Sequence, residues 1–274
     1  MFPRRIPIIA ALVAAAGLAF VPATGSASTS SSPPTAQARS AGIAEAGDAY
    51  LGWSQTDRAA KPAPAGLLAA VYGIDVSGHQ GNVDWNYWWN QGKRFTWVKA
   101  TEGTGYTNPY FAQQYNGSYN RGFIRGSYHF ALPDRSSGAT QATYFGDHGG
   151  GWSGDGKTLP GALDIEWNPY GSTCYGKSQS GMASWIRDFS NTYKARWNKY
   201  PIIYTATSWW SQCVGNNSFS STNPLWVARY ASTVGTLPYN WTYYTVWQYS
   251  SSPIDQDVFN GDYSRLQAFA TNHD

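Results

Sequence analysis

The sequence predicts an α/β fold: an irregular TIM-like barrel, with five β/α repeats followed by three strands with few helices. Three observations predict it. From Val71 to about Val214, short apolar runs alternate with stretches of helical periodicity, the pattern of parallel strands joined by helical crossovers. The rhythm then changes to strands joined by loops. Finally, Asp75, Glu102, His129, Asp164, Glu166 and Asp257 all fall at or near strand C-terminal ends, where barrel active sites lie.

The elements follow in order. A strand over 71–77 ends in an acid and a turn. An aromatic helical pattern over 84–90 precedes Gly92, a helix stop. A second strand over 95–103 runs into a Gly-rich loop. The stretch 109–120 reads as a helix with Pro109 near its first turn. Strand 123–130, helix 140–148 and a Gly run at 149–151 follow. The fourth strand spans 159–167. The longest helical pattern, 179–197, places Met182, Trp185, Ile186, Phe189 and Tyr193 at spacings of three and four. Strand 201–205 leads to a short helix near 208–214. Strands over 225–230, 244–249 and 254–259 have no clear helices between them, and 263–270 closes the chain as a helix.

The fourth strand is the chemical centre. Asp164 and Glu166 are separated by one apolar residue, so along a strand they share a face while Leu163 and Ile165 take the other. Burial and mutual repulsion raise the pKa of such a pair. One member is then held protonated near neutral pH, as a general acid requires.

The N-terminus carries a basic Arg4-Arg5 start, an apolar run over 6–20 and small residues ending at Ala27. This is the pattern of a secretory signal peptide spanning 1–27, and the arginine pair admits a twin-arginine route. The run is too short for a retained membrane span. Residues 28–70 are Ser-, Thr-, Ala-, Pro- and Gly-rich and read as a low-complexity linker or a removable pro-segment with little regular structure. Leu51-Gly52-Trp53 and Leu67-Leu68 are its candidates for docking on the domain, and a helix is expected only in the apolar run. Residues 71–274 are about the size of one domain, the expected barrel.

The whole chain carries +3. Arg4, Arg5, Arg39, Arg58 and Lys61 against Glu45, Asp48 and Asp57 leave the domain at about +1, with no basic run, so nucleic acid is not expected as a partner. Aromatic residues make up 16% and charged residues 13%. That balance suits a polar, uncharged-faced ligand such as a sugar, though aromatics are also core material. In an exported chain, the cysteine pair Cys174 and Cys213 is most simply one disulfide. Two cysteines and scattered histidines make no metal site, and no cofactor is expected.

The motifs Tyr72-Gly73-Ile74-Asp75-Val76-Ser77 with His79-Gln80, Lys99-Ala100-Thr101-Glu102-Gly103, Tyr128-His129-Phe130, Leu163-Asp164-Ile165-Glu166, Ile203-Tyr204-Thr205, Leu225-Trp226-Val227-Ala228 and Trp247-Gln248-Tyr249 resemble the glycoside hydrolase family 25 lysozymes of the Chalaropsis and cellosyl type. The resemblance runs from Val71 to the C-terminus. It implies an incomplete-looking β/α barrel that hydrolyses the β-1,4 bond between N-acetylmuramic acid and N-acetylglucosamine in peptidoglycan. It also implies that Glu166 is the general acid and that Asp164 assists the substrate acetamido group or acts directly. Asp75 and Asp257 match the two further acids of the site. Such a protein is expected to be secreted, extracellular and monomeric, with peptidoglycan glycan strands as its partner.

Other residues have two readings each. Glu102 binds substrate or orders its loop, and Lys99 reads as a structural ion-pair partner. His129 is expected to hydrogen-bond in the barrel mouth as a substrate contact, or to act there as a general base. Tyr128, Tyr204, Trp226 and Gln248 contact sugar or pack inside the barrel. A chitinase-like hydrolase is disfavoured because Ala162 stands where the longer acid run of barrel chitinases would need another acid. A catalytically inactive wall-binding protein would have lost one of Asp75, Asp164 or Glu166, and none is missing. Retention and inversion both remain open, with substrate-assisted retention favoured.

Overall fold

The computed structural model describes residues 35–55, 59–64 and 69–273. The signal peptide over 1–27, a helix in its apolar run and Leu67-Leu68 lie outside the described residues. Eight strands close a barrel: β1 (Val71–Val76), β2 (Lys93–Glu102), β4 (Ile124–Phe130), β5 (Ala162–Asp164), β6 (Ile202–Thr205), β7 (Leu225–Ala228), β8 (Val246–Ser250) and β9 (Gln256–Phe259). A short β3 (Tyr106–Thr107) pairs outside it with β2. Helices α2 (Trp85–Asn90), α3 (Phe111–Arg121), α4 (Gly138–Asp147), α5 (Gln179–Trp197) and α6 (Thr207–Cys213) follow the first five barrel strands, and α7 (Tyr263–Thr271) ends the chain.

The alternation of strands and helices is as the sequence predicts, and the caps explain the boundaries. Asp84, Ser137, Ser178 and Asp262 each accept a backbone N–H at the start of their helices. Gly122 ends α3 in the left-handed conformation. The fourth predicted strand is shorter than expected. It stops at Asp164, although Ile165 still donates to Tyr204 O at 3.0 Å, so the ladder continues one residue toward Glu166.

The barrel strands β1, β2 and β4 to β8 are parallel, but β9 runs antiparallel to both β8 and β1, and the outer β3 antiparallel to β2. The wholly parallel sheet implied by strand–helix alternation fails at this strand. Only residues 251–255 join β8 to β9, too few for a crossover.

Aromatic rings fill the barrel. Trp97 and Trp226 pack with centroids 4.7 Å apart, Phe95 lies edge-on to Trp97, and Trp226 meets Tyr204 edge-on. Glycines in the facing strands make the room: a Cβ at Gly73 would sit 2.4 Å from the Phe95 ring, and one at Gly126 would sit 2.5 Å from Trp97 Nε1. On the outer side, Phe145 of α4 and Phe189 and Tyr193 of α5 cover the apolar backs of β5 and β6, Leu163 and Ile203. The disulfide Cys174–Cys213 ties the loop after β5 to the end of α6. Among the described residues, no helix is long and apolar enough to cross a membrane.

The stretch read as a linker is ordered where it is described. Thr35 caps a short helix α1 (Ala36–Ser40), and tight turns follow as far as Gln55. Ala38, Ile43, Ala49, Leu51 and Trp53 are buried in the main hydrophobic cluster. Ile43 and Leu51 each contribute roughly 1.5–3 kcal/mol by leaving water. The segment has too few apolar residues for a core of its own, and it uses the barrel's instead.

Candidate active site

The register of the barrel gathers an inner ring of side chains toward the C-terminal ends of its parallel strands, in two level sets. Asp164 on β5 is level with Tyr204 on β6, Tyr204 with Trp226 on β7, and Gln248 on β8 with Asp257 on β9. Asp164, Tyr204, Trp226 and Gln248 converge because their parallel strands share one direction, whereas Asp257 enters from antiparallel β9, near that strand's N-terminal end and not the C-terminal end its sequence position suggested. Asp75 joins them from β1.

Gln248 holds two sides of the ring together. Its Oε1 accepts from Tyr204 Oη at 2.7 Å and from Tyr230 Oη at 3.1 Å, while its Nε2 donates to Asp75 Oδ2 at 2.8 Å. Opposite, Trp226 Nε1 donates to Asp257 Oδ1 at 2.9 Å. Trp226 is thus committed on its face to Trp97 and on its N–H to Asp257.

All four predicted acids are buried: Asp75, Asp164 and Glu166 at 1–2% exposure and Asp257 at zero. Burial pushes Asp75 well above the usual carboxylate range, helped by the Asp257 charge and opposed by the Gln248 hydrogen bond. Burial and the Asp255 charge raise Asp257 to about 8, against the Trp226 N–H. Asp164 is held well up by burial first and by the Glu166 charge second. Neither oxygen of Asp164 has a hydrogen-bond partner among the described residues. A buried carboxyl without hydrogen-bond partners is costly to hold in a fold. Tyr128 lies in the same interior, its hydroxyl pushed up by burial and then by Asp75 and Asp164.

Lys99 and Glu102 form a buried ion pair of 2.7 Å on β2. Residues three apart on a regular strand face opposite ways. Here the β2–β4 register slips between Lys99 and Thr101, and this bulge turns both charged side chains to the same side. The reading of Lys99 as an ion-pair partner holds.

His129 is not in the barrel mouth, contrary to the expectation from its motif. Its ring stacks on Phe189 beneath the helices, with Nδ1 2.7 Å from Thr101 Oγ1 and Nε2 2.9 Å from Gln141 Oε1. Tyr128 takes the inward position on β4, so alternation sends His129 outward. Burial lowers its pKa to about 4, so the imidazole is neutral.

The described N-terminal segment lies directly on these groups. Gly52 N donates to Glu166 Oε1 at 2.8 Å and Ser54 Oγ to Glu166 Oε2 at 2.9 Å. Gly47 N donates to Glu102 Oε1 at 3.1 Å, and Lys99 Nζ donates to the carbonyls of Gly47 and Ala49. Tyr170 Oη reaches both Glu102 Oε1, at 2.6 Å, and Glu45 O, at 3.2 Å. Trp53 Nε1 donates to Trp167 O at 3.2 Å, and Tyr50 packs edge-on against His79.

Comparison with known proteins matches residues 74–258 to the family model "Glycosyl hydrolases family 25". The chain belongs to that family. It is 48% identical over 209 residues to an N,O-diacetylmuramidase of Chalaropsis, covering 73% of this chain and 99% of that protein. It is 45% identical over 231 residues to Lysozyme M1 of Streptomyces globisporus, covering 81% of this chain and 78% of the other. Among solved structures, a muramidase from Acremonium alcalophilum superposes with a TM-score of 0.72 at 54% identity, over 73% of this chain and 99% of that one. The Chalaropsis and Acremonium proteins therefore match little more than the family 25 barrel. The Lysozyme M1 match covers a larger share of the chain than the residues from Val71 onward, so it reaches into the segment before the barrel.

Two side chains of this family 25 site escaped sequence reasoning. Tyr230 sits just past the end of β7 and Tyr170 in the loop after β5, and both reach the site through their hydroxyls. Tyr230 lay within a predicted strand, where alternation could have aimed it inward. Tyr170 carried no signal, because a loop residue has no periodicity to read.

Proposed function

We propose that this family 25 hydrolase is a secreted muramidase that cleaves the β-1,4 bond between N-acetylmuramic acid and N-acetylglucosamine in peptidoglycan. In this reading residues 1–27 direct export, 28–70 form a pro-segment and 71–274 act as a monomeric catalytic domain. The observation that carries the residue assignment is the placement of Glu166 and unpartnered Asp164 beside Asp75 in one interior at the strand ends.

Glu166, as the acid, gives its proton to the glycosidic oxygen as the bond to the anomeric carbon breaks. Asp164, ionised once the groove is open to water, accepts the N–H of the substrate acetamido group. The acetamido carbonyl oxygen then closes on the anomeric carbon and gives a cyclic oxazolinium. Water opens that ring, losing its proton to the Glu166 carboxylate, and configuration is retained. Asp75 and Asp257, ionised with Asp164 once the groove is open to water, supply negative potential to the positive charge that develops on the sugar. Tyr204 and Gln248 position Asp75, and Tyr128 lines the floor. Glu102 takes a sugar amide or hydroxyl donor in place of the Gly47 N–H that it accepts here.

The test is digestion of purified peptidoglycan with analysis of the new reducing ends. Muramic acid at those ends, with the retained anomer formed first, supports the reading. N-acetylglucosamine ends overturn the bond assignment, and an inverted anomer overturns the acetamido route.

A further inference from the structure

We infer that the N-terminal segment over residues 35–55 is a built-in inhibitor of the barrel, seated in the substrate groove on Glu166 and removed by cutting the chain between Ser54 and Val71. This inference rests on the placement of the active site argued above.

The contacts are those of a ligand. Both oxygens of Glu166 are taken, one by a backbone N–H and one by a serine hydroxyl. The Lys99–Glu102 pair reads a peptide N–H and two peptide carbonyls. An acetamido sugar offers the same chemistry: an amide N–H, an amide carbonyl and hydroxyl donors. Substrate and segment thus compete for the same atoms.

The seat is also fitted in shape. Gly52 has φ of +71°, and a Cβ there would stand 2.2 Å from Tyr230 Oη and 2.7 Å from Gln248 Oε1. Gly47 has φ of +103°, and a Cβ there would stand 2.3 Å from the Tyr106 ring. Only glycine allows the backbone to come this close to Tyr230, Gln248 and Tyr106. On either side of Gly52, Leu51 and Trp53 are buried as anchors.

Occupancy also blocks access to the acid, because each Glu166 oxygen accepts a hydrogen bond from the segment where a glycosidic oxygen would have to approach. Release follows from tethering: while joined to β1 the segment acts at a high effective concentration, and cutting the connection lets it diffuse away. Ala59 and Ala60 in that connection are exposed.

The experiment uses the chain from residue 28 onward in three forms: uncut, cut at a protease site inserted next to Ala59, and uncut with Gly52→Val. Rates are read as reducing ends released from peptidoglycan, and folding by circular dichroism. The cut form and Gly52→Val are expected to exceed the uncut form by at least about tenfold. A synthetic peptide of residues 35–55 is expected to raise the KM of the cut form without changing kcat. If Gly52→Val does not fold, the cut form and the peptide decide. Equal rates in uncut and cut forms, with no effect of the peptide, overturn the inference. If no form releases reducing ends yet the peptide binds the cut form by calorimetry, the muramidase reading fails while the segment's seat stands.

Discussion

The backbone N–H of Gly52 donates to Glu166 Oε1 at 2.8 Å, joining two residues 114 positions apart. The carboxyl we propose as the general acid is thereby held as an acceptor, by a part of the same chain whose composition is that of a linker. The barrel and its cover have to be considered together when any variant of the site is measured.

Glu166→Gln keeps the size of the side chain and removes the proton it can give. In the cut form, kcat is expected to fall by about 10²–10⁴-fold, with peptidoglycan still pulled down. Undiminished turnover by this variant would move the acid role to Asp164.

Gln248 is the joint between Tyr204, Tyr230 and Asp75. Gln248→Leu removes it at similar size and leaves three buried polar groups short of a partner. Stability is expected to fall by about 1–3 kcal/mol, read by urea unfolding. The amide donor that favours the Asp75 carboxylate is also lost, so the acidic limb of the kcat/KM profile of the cut form is expected to move to higher pH. A stability loss with an unmoved profile would reduce Gln248 to a packing residue.

The barrel was legible because its signals are local: apolar runs, helical spacing and caps, repeated along the chain. Asp75, Asp164, Glu166, Asp257, Tyr204, Trp226 and Gln248 could be placed because a residue near a strand end inherits its position from the strand. His129 misled for the same reason. Its strand position was right, but the face it takes depends on alternation with Tyr128, and the sequence alone does not say which of the two points inward. The β2 bulge that brings Lys99 and Glu102 together is a register event between strands, and the reversal of β9 shows only as a short loop. The seat of residues 35–55 was least legible. The apolar Leu51 and Trp53 did mark a docking point, and both are buried, but most of the segment's hydrogen bonds to the site are made by backbone atoms of Gly47, Ala49 and Gly52, which carry little sequence signature.

His129 links acid pH to stability. Its ring is neutral in the fold and titrates at about 4, against about 6.5 in the unfolded chain. Between those values the unfolded chain binds the extra proton, so the stabilisation is present above 6.5 and is lost as pH falls toward 4. The buried acids Asp75, Asp164 and Asp257 act in the opposite sense, so the test is a difference between two proteins that share them. Unfolding free energies of wild type and His129→Gln, measured at pH 7 and pH 4.5, are expected to converge by roughly 2–3 kcal/mol on the acid side. A constant difference would mean that the ring takes up its proton without leaving its place.

Lys99 tests the cover and the ion pair at once. In the uncut chain Lys99→Met leaves Glu102 buried without its cation, an arrangement that costs about 3–5 kcal/mol. The same substitution removes the donor to the Gly47 and Ala49 carbonyls. The cheapest relief is for residues 35–55 to leave and for water to reach Glu102. The expected result is therefore a modest loss in global stability, with residues 35–55 becoming open to limited proteolysis and turnover rising toward that of the cut form. In the cut form, where water already reaches Glu102, the stability loss should be smaller still. The double variant Lys99→Met, Glu102→Leu in the uncut chain removes the orphaned charge, so its stability should recover. It also removes the acceptor for Gly47 N–H, so the segment should stay loose. Recovery of stability together with restored protection of residues 35–55 would show that burial of Leu51 and Trp53, rather than the Lys99–Glu102 pair, sets the hold of the segment.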